Sequence, residues 1–277
     1  MAPYQVKNRV FRKSKAKFRL SLWDAPGRSP RKHCSDSREN HPMLEFRHQL
    51  PQISLLPDRV SWMLQQCAGR RVVDIGCVDT GFLEERASSG ELMHQRIAGV
   101  AKAILGVDID LQGIERFRQL GFANVIAADL SVSSETVMRE TERLMKGCDV
   151  IACGEVLEHV PNAGNLLNGI GELARAFDAA AIITVPNAFS IRSILAVLAG
   201  TEIVHPDHKY YFSWRTLKSL LEQSGLVIVE THFYADNRDS ASRTDFFKAV
   251  LNRTLVPLRP QLGEGIAIKA RAAGGRE

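Results

Sequence analysis

The stretch of sequence from residue 71 to residue 81, RVVDIGCVDTG, combines an apolar run with two glycines. The run from Arg71 to Ile75 is typical of a short buried strand, and Gly76 ends it. Gly76 and Gly81 let the backbone turn tightly and approach a ligand closely, because glycine has no Cβ atom. We therefore expect a strand that leads into a ligand-binding loop.

Short apolar segments of the same kind follow along the chain and alternate with helical patterns. We expect strands at residues 103–107, 124–128, 149–153, 180–184, 226–230 and 266–269. Apolar residues with a helical period lie between them, for example over residues 136–145 and 166–176. Before the opening stretch, apolar residues from Ile53 to Met63 predict a helix that ends before Gly69. The alternation predicts an α/β fold, with a parallel sheet and helices on both faces, in one domain over residues 51–272.

The net charge of +5 is distributed unevenly along the chain. Residues 1–40 contain eleven lysines and arginines and three acidic residues, so this segment carries +8 and the rest of the chain carries −3. Several prolines and the lack of a helical period predict a basic, flexible N-terminal extension over residues 1–50. Residues 273–277 are expected to form a flexible C-terminal tail. An arginine-rich, acid-poor start also occurs in mitochondrial transit peptides.

The sequence disfavours several classes of protein. It has no apolar run near the roughly 20 residues that a transmembrane helix needs, and its start lacks the apolar core of a secretory signal. Five scattered cysteines without a C-x-x-C pair argue against a disulfide framework and against a zinc ribbon. These features predict a cytoplasmic protein, and they leave its oligomeric state open.

Acidic residues follow two further strands, at the edge of the sheet where open α/β folds bind ligands. Asp108 comes directly after the second strand of the domain, where a carboxylate can hold both hydroxyls of a ribose. Asp129 and Leu130 follow the third strand, where the carboxylate can accept from an exocyclic amine and the leucine can pack on a base. Together with the glycine loop, these positions predict a nucleoside-containing cofactor.

Five segments of the chain resemble the class I S-adenosylmethionine (SAM)-dependent methyltransferases. They are VVDIGC (72–77), GVDID (106–110), AADL (127–130), DVIACGEVLEHV (149–160) and ITVPN (183–187). The resemblance implies a Rossmann-like, mostly parallel sheet of seven strands with a reversed last strand. It also implies that the first loop holds the methionine part of SAM, that Asp108 holds the ribose, and that Asp129 and Leu130 hold the adenine. The cofactor-binding residues so implied are Asp74, Gly76, Cys77, Gly81, Asp108, Ile109, Asp129 and Leu130.

The glycine loop departs from the D-x-G-x-G-x-G pattern of that family. Val78 and Asp79 follow Cys77, so the central glycine is missing and one residue is added. Asp108 lies 32 residues after Gly76, against about 20 in the dinucleotide-binding fingerprint, which disfavours a NAD-binding domain. Residues 86–90 are interpreted as an inserted turn. The altered loop leaves open a non-catalytic relative that binds SAM weakly.

Glu155, Glu158 and His159 follow the fourth strand and form an E-x-x-E-H segment. If a helix begins there, the i, i+3 and i+4 spacing places all three side chains on one face. Two carboxylates and an imidazole suit a divalent cation. With Asp207-His208-Lys209 further on, the segment is similar to small-RNA 2′-O-methyltransferases, and E-x-x-E-H alone resembles ubiquinone-pathway O-methyltransferases. This resemblance implies that Glu155, Glu158, His159 and His208 bind a metal, taken as Mg²⁺.

A metal-free interpretation of the segment is also open. The glutamates can favour a helix N-terminus, and His159 can act as a general base. His205 is assigned to the loop that carries it, and His94 and His232 are assigned to the surface or the core.

The function that we expect is methyl transfer from SAM to a hydroxyl of a small-molecule or sugar-containing acceptor, with His159 and Glu155 as catalytic residues. One alternative is an RNA 2′-O-methyltransferase that uses a divalent metal, with the basic extension holding phosphates. The acidic body and the lack of interleaved aromatic and basic residues disfavour a nucleic-acid partner. Another alternative is a non-catalytic interaction protein with the same fold.

Overall fold

The computed structural model describes residues 49–51, 53–235 and 254–274, which belong to one compact unit. The basic extension expected over residues 1–50 lies outside the described residues, apart from its last two positions. Residues 275–277 of the expected tail also lie outside them.

An eight-stranded sheet forms the centre of the fold. Its strands are β1 (Leu55–Leu56), β2 (Arg71–Ile75), β3 (Ala103–Asp108), β4 (Val125–Ala127), β5 (Val150–Gly154), β6 (Ala180–Pro186), β7 (Leu226–Tyr234) and β8 (Gly265–Ala272). Their spatial order is β1-β7-β8-β6-β5-β2-β3-β4. β8 runs antiparallel to both of its neighbours, β6 and β7, whereas the other pairs are parallel. The mostly parallel sheet with a reversed last strand is therefore confirmed.

Helices cover both faces of this sheet. They are α1 (Arg59–Cys67), α2 (Leu83–Ser89), α3 (Met93–Ala98), α4 (Leu111–Gln119), α5 (Glu135–Met145), α6 (Ala163–Phe177), α7 (Ile191–Leu198) and α8 (Trp214–Gln223). Successive residues of a strand point to opposite faces, so each central strand contributes to two cores. Val73 and Ile151 pack in a cluster with Ile170 of α6, whereas Val72 packs in a second cluster with Met63 of α1. Among the described helices, none has the length and apolar character needed to cross a bilayer.

The sheet has one strand more than the seven expected, because β1 adds to its edge beside β7. β1 occupies part of the segment that was predicted to be helical from Ile53. The helix begins later, at Arg59, since Pro57 disfavours a helical conformation in the residue before it. Asp58 then caps α1, and its carboxylate accepts the backbone N–H groups of Val60 at 3.1 Å and Ser61 at 2.8 Å.

A second difference lies between β2 and β3. The segment interpreted as an inserted turn at residues 86–90 is the second half of α2, and Gly90 ends this helix with a left-handed backbone, φ 74°. α2 and α3 together lengthen the connection from the glycine loop to β3, which accounts for the long spacing between Gly76 and Asp108.

Candidate active site

The loops after β2, β3, β4 and β5 meet at one edge of the sheet, because these four strands are parallel neighbours. Gly76 opens the first loop with a left-handed backbone, φ 70°. A Cβ atom at this position would lie 2.5 Å from Cγ2 of Val156, which belongs to the loop after β5. The glycine is therefore required both by its backbone conformation and by the close contact between the two loops.

The departure from the family's glycine pattern is accommodated by packing. Val78 is buried beneath the loop, and its Cγ1 atom would lie 2.5 Å from a Cβ atom at Gly113 of α4. A side chain at position 78 thus fits because position 113 has none. The next residues also have partners: Thr80 Oγ1 donates to Asp110 Oδ2 at 3.0 Å, and Asp79 forms an ion pair with Arg86.

Asp108 is tied to this loop through its carboxylate. Oδ2 accepts the backbone N–H of Val78 at 2.9 Å, and Oδ1 accepts those of Ile109 at 2.7 Å and Asp110 at 3.0 Å. A carboxylate has about four acceptor sites, so capacity for one further donor remains on Oδ2. Burial raises the pKa of Asp108 above its ordinary value, although the three backbone hydrogen bonds act in the opposite direction.

The other residues expected to bind the cofactor differ in their exposure and in their hydrogen bonds. Ile109 is exposed, whereas Leu130 is buried against Gly169 of α6. The Asp129 carboxylate accepts from the backbone N–H of Ser131 at 2.9 Å and from its hydroxyl at 2.6 Å. The Cys77 side chain points into the core, and burial raises the pKa of its thiol, so this residue offers its backbone to the loop.

A buried histidine lies beneath the glycine loop. Asp74, 5% exposed, contacts His94 through Oδ2 and Nδ1 at 2.9 Å. His94 comes from α3, and its ring packs edge-on against Phe117 and Phe122 at 4.9 and 5.8 Å between centroids. The Asp74 carboxylate is thereby held by a buried imidazole that packs on the same side of the sheet as Cys77. No motif marks His94 in the sequence, so its contact with Asp74 was not predicted.

Glu155 follows β5 in a turn, and residues 155–159 do not begin a helix, since α6 starts at Ala163. Its backbone is left-handed, φ 57°, which is unusual for a residue with a long side chain. The side chain has two partners: Tyr234 Oη donates to Glu155 Oε1 at 2.8 Å, and Nη1 of Arg59 lies 3.9 Å from the same oxygen. Arg59 also donates to Thr184 Oγ1 at 3.3 Å.

Glu158 is 1% exposed, and neither of its carboxylate oxygens has a hydrogen-bond partner among the described residues. Burial, together with the negative charge of Glu155, raises the pKa of Glu158 to about 9. Buried polar atoms are nearly always paired in native proteins, so this carboxyl group is a position at which a ligand is expected.

Three histidines cluster beside this turn. His159 lies 4.6 Å from His208 and 5.9 Å from His205 between ring centroids, and His205 and His208 are 5.3 Å apart. One nitrogen of each imidazole lies within 4.8 Å of one nitrogen of the other two. Burial and the neighbouring imidazoles lower the pKa values of His159 and His208, so both rings are neutral near pH 7.

The structure thus brings together His159 and His208, as the sequence predicted, and places Glu155 and Glu158 in the same turn. It adds His205, Arg59 and Tyr234, which sequence analysis did not assign to the site. Arg59 and Tyr234 belong to α1 and β7 and reach Glu155 across long stretches of chain. No spacing rule could have found them, but the histidine pair at positions 205 and 208 was visible as H-x-x-H.

Comparison with known proteins identifies the family. The family described as "Methyltransferase domain" matches residues 43–231, about two thirds of the chain. The ubiquinone biosynthesis O-methyltransferase of Burkholderia pseudomallei (strain 1710b) is 25% identical over 202 residues, which are 68% of this chain and 78% of that protein. The corresponding protein of Burkholderia vietnamiensis (strain G4 / LMG 22486) is 27% identical over 140 residues, 48% of this chain and 52% of that protein.

Solved structures with similar folds have lower identity. The small RNA methyltransferase HEN1 is 17% identical with a TM-score of 0.47, over 83% of this chain and 28% of that one. Magnesium protoporphyrin IX methyltransferase (ChlM) from Synechocystis PCC 6803 with bound SAH is also 17% identical, with a TM-score of 0.45. The match covers 77% of this chain and 80% of that one. The family match sets aside the non-catalytic alternative, and the chain belongs to the methyltransferase domain family as a class I SAM-dependent methyltransferase.

Proposed function

We propose that this enzyme transfers the methyl group of SAM to a hydroxyl group of a small-molecule or sugar-containing acceptor. The observation that carries the proposal is the turn at residues 155–159, which places next to the glycine loop an exposed imidazole and a buried carboxyl group that has no hydrogen-bond partner in the described part of the chain. Val156 of that turn is in contact range of Gly76, so the acceptor site and the proposed methionine site are adjacent. The name of the relative from B. pseudomallei, an O-methyltransferase, supports a hydroxyl acceptor.

SAM is held, in this proposal, by the residues that line the carboxyl ends of β2, β3 and β4. The backbone of the loop from Gly76 to Gly81 takes the methionine part, with Asp74 and Cys77 supporting it from below. The free acceptor site on Asp108 Oδ2 takes one ribose hydroxyl, and exposed Ile109 covers that side of the nucleoside. Asp129 and Leu130 flank the adenine, although the Asp129 carboxylate is shared with Ser131.

The chemistry needs little beyond alignment and proton removal. A sulfonium methyl group is already activated, so the protein mainly holds the hydroxyl oxygen in line with it and excludes water. His159 is the proposed general base, because its lowered pKa leaves the ring neutral near pH 7 and able to take the hydroxyl proton. Glu155, held by Tyr234 and Arg59, is the second proposed catalytic residue and stabilises the imidazolium that forms.

Binding of a divalent cation is the alternative use of these side chains, although among the described residues the ligand atoms within 4.8 Å of one another belong to His159, His205 and His208 and not to the glutamates. The two oxygens of Glu158 and Nδ1 of His208 are buried, without hydrogen-bond partners among the described residues, and each is a good metal ligand. Glu155, Glu158, His159 and His208 would hold the ion. When bound, such an ion lowers the pKa of an acceptor hydroxyl.

The four free and buried cysteines in the described part of the chain also suit a reducing compartment, and we place the enzyme in the cytoplasm.

The test combines SAM titration with methyl transfer. Isothermal titration calorimetry measures SAM binding, and labelled SAM follows transfer to a panel of phenolic and sugar hydroxyls. We expect His159→Ala to keep the SAM affinity of the wild type but to lose about 100-fold in turnover. His232→Ala, which removes a histidine outside the site, is the matched control and should keep full turnover. Unchanged turnover of His159→Ala, with and without a chelator, would show that the assignment is wrong.

A further inference from the structure

We propose that His205 completes a three-imidazole metal site with His159 and His208, and that this site takes a borderline transition metal such as Zn²⁺ or Co²⁺ in preference to Mg²⁺. The inference rests on the proposed function, in that the ion would lie at the proposed acceptor site and would there take over from the free His159 ring the activation of the acceptor hydroxyl. The sequence predicted Mg²⁺ because the motif contains two carboxylates, whereas three imidazole ligands favour a transition metal.

The spacing of the three rings is close to that of a metal site. Their nitrogens lie within 4.8 Å of one another, and two nitrogens bound to one zinc ion at about 2.1 Å are separated by about 3.4 to 4 Å. Small side-chain rotations close this difference. His205 and His159 are exposed and His208 is half-buried, so the two outer rings are free to make them.

The backbone already holds the two parts of this cluster together. His159 belongs to the turn after β5, whereas His205 and His208 belong to the loop between α7 and α8. The N–H groups of Lys209 and Tyr210 donate to the carbonyl oxygen of Glu158 at 2.6 and 3.3 Å. Within the loop, the N–H of His208 donates to the carbonyl oxygen of His205 at 3.0 Å. The cluster is therefore preorganised by contacts that do not need the ion.

An unpaired nitrogen points to a ligand at this place. His208 Nδ1 is buried and has no hydrogen-bond partner among the described residues, which is rare in native proteins. Nδ1 of His205 accepts the N–H of Asp207 at 3.3 Å, so this nitrogen carries the lone pair of the neutral ring and binds an ion once that long hydrogen bond is released.

The donor set decides the choice of metal. Imidazole nitrogens suit zinc, copper, iron, cobalt and nickel, whereas Mg²⁺ prefers an octahedron of oxygen atoms. Among the described residues, neither Glu155 nor Glu158 belongs to the group of ligand atoms that lie within 4.8 Å of one another, which consists of the three histidines. Three imidazoles with water in the fourth position form a set that zinc accepts and magnesium does not favour.

The experiment titrates metal ions into full-length protein freed of metal with EDTA. Zn²⁺ and Mg²⁺ binding are measured by calorimetry, and Co²⁺ serves as a spectroscopic probe, since its visible absorption reports the coordination geometry. We expect Zn²⁺ to bind at least about 100-fold more tightly than Mg²⁺, as imidazole ligands require. His205→Ala should weaken Zn²⁺ binding about tenfold or more and change the Co²⁺ spectrum. Its SAM affinity should stay at the wild-type value.

The control His232→Ala identifies adventitious binding by a histidine outside the cluster, and should leave the Zn²⁺ affinity and the Co²⁺ spectrum unchanged. The proposal is overturned if His205→Ala binds Zn²⁺ and Co²⁺ as the wild type does while His159→Ala and His208→Ala do not, because a site without His205 is then sufficient. Mg²⁺ binding as tight as Zn²⁺ binding also overturns it. Zn²⁺ binding that depends on His205, without methyl transfer to any hydroxyl acceptor, supports the metal site and contradicts the proposed function.

Discussion

Gly76 gives a quantitative test of the contact between the glycine loop and the turn after β5. Its backbone is left-handed, φ 70°, and a Cβ atom would lie 2.5 Å from Val156 Cγ2 and 3.2 Å from Cγ1. The left-handed conformation costs a non-glycine residue about 1 kcal/mol. The overlap with a valine, which is stiff about χ1, adds about 1–3 kcal/mol. We expect Gly76→Ala to lower the free energy of unfolding by about 2–4 kcal/mol.

Gly69→Ala is the matched control, because Gly69 has nearly the same backbone, φ 69°, but no atom of the described residues lies within 4 Å of its Cβ position. It should cost about 1 kcal/mol. Urea denaturation gives both values, and the double variant Gly76→Ala with Val156→Ala should recover part of the difference. SAM affinity should fall in Gly76→Ala and not in Gly69→Ala. Equal destabilisation of the two single variants, or no recovery in the double variant, would refute the reasoning.

Three further substitutions test single contacts. His94→Leu leaves the Asp74 carboxylate buried without its imidazole partner and should lower the free energy of unfolding by about 3 kcal/mol. A decrease of less than about 1 kcal/mol, measured by urea denaturation, would contradict the buried pair. Tyr234→Phe removes a hydrogen bond to a charged group and should lower kcat about tenfold at unchanged SAM affinity; an unchanged kcat excludes this positioning role. Arg71 holds the pKa of Asp149 below its ordinary value, so this pair stabilises the fold fully above about pH 4 and loses its effect as the pH falls through the lowered pKa. Arg71→Met should therefore be destabilised at pH 7 and approach the wild type in strong acid, whereas an equal deficit at every pH would count against the pair.

The sequence predicted the parts of the fold that depend on local pattern. The buried strands β2 to β6 are short apolar runs, and β8 was expected as the reversed last strand. β1 was not predicted, because two residues carry no periodicity and the pairing of Leu55 and Leu56 with β7 bridges nearly the whole domain. Long-range pairing of this kind leaves no signal in the segment itself.

The site was predicted in part, for a related reason. The motif E-x-x-E-H marked Glu155, Glu158 and His159 correctly as neighbours, but helical spacing was the wrong geometry, since Glu155 takes a left-handed backbone and the segment turns. The partners that orient Glu155 come from α1 and β7. His94 reaches Asp74 from α3, 20 residues further along the chain, and no motif marks it. Tertiary structure, which a spacing rule does not encode, decides these contacts.

The position of β8 between β6 and β7 has a consequence for how the chain is made. β7 carries Tyr234, which orients Glu155, and β7 joins the sheet through a strand that the ribosome synthesises later. Gly265 at the start of β8 leaves room for the Tyr234 ring, which a Cβ atom there would overlap. During synthesis, β2 to β6 emerge before β8, because the chain is made from its N-terminus. The last strand must then insert between two earlier ones, so that a nascent chain that has already formed its cofactor loop still lacks an oriented Glu155.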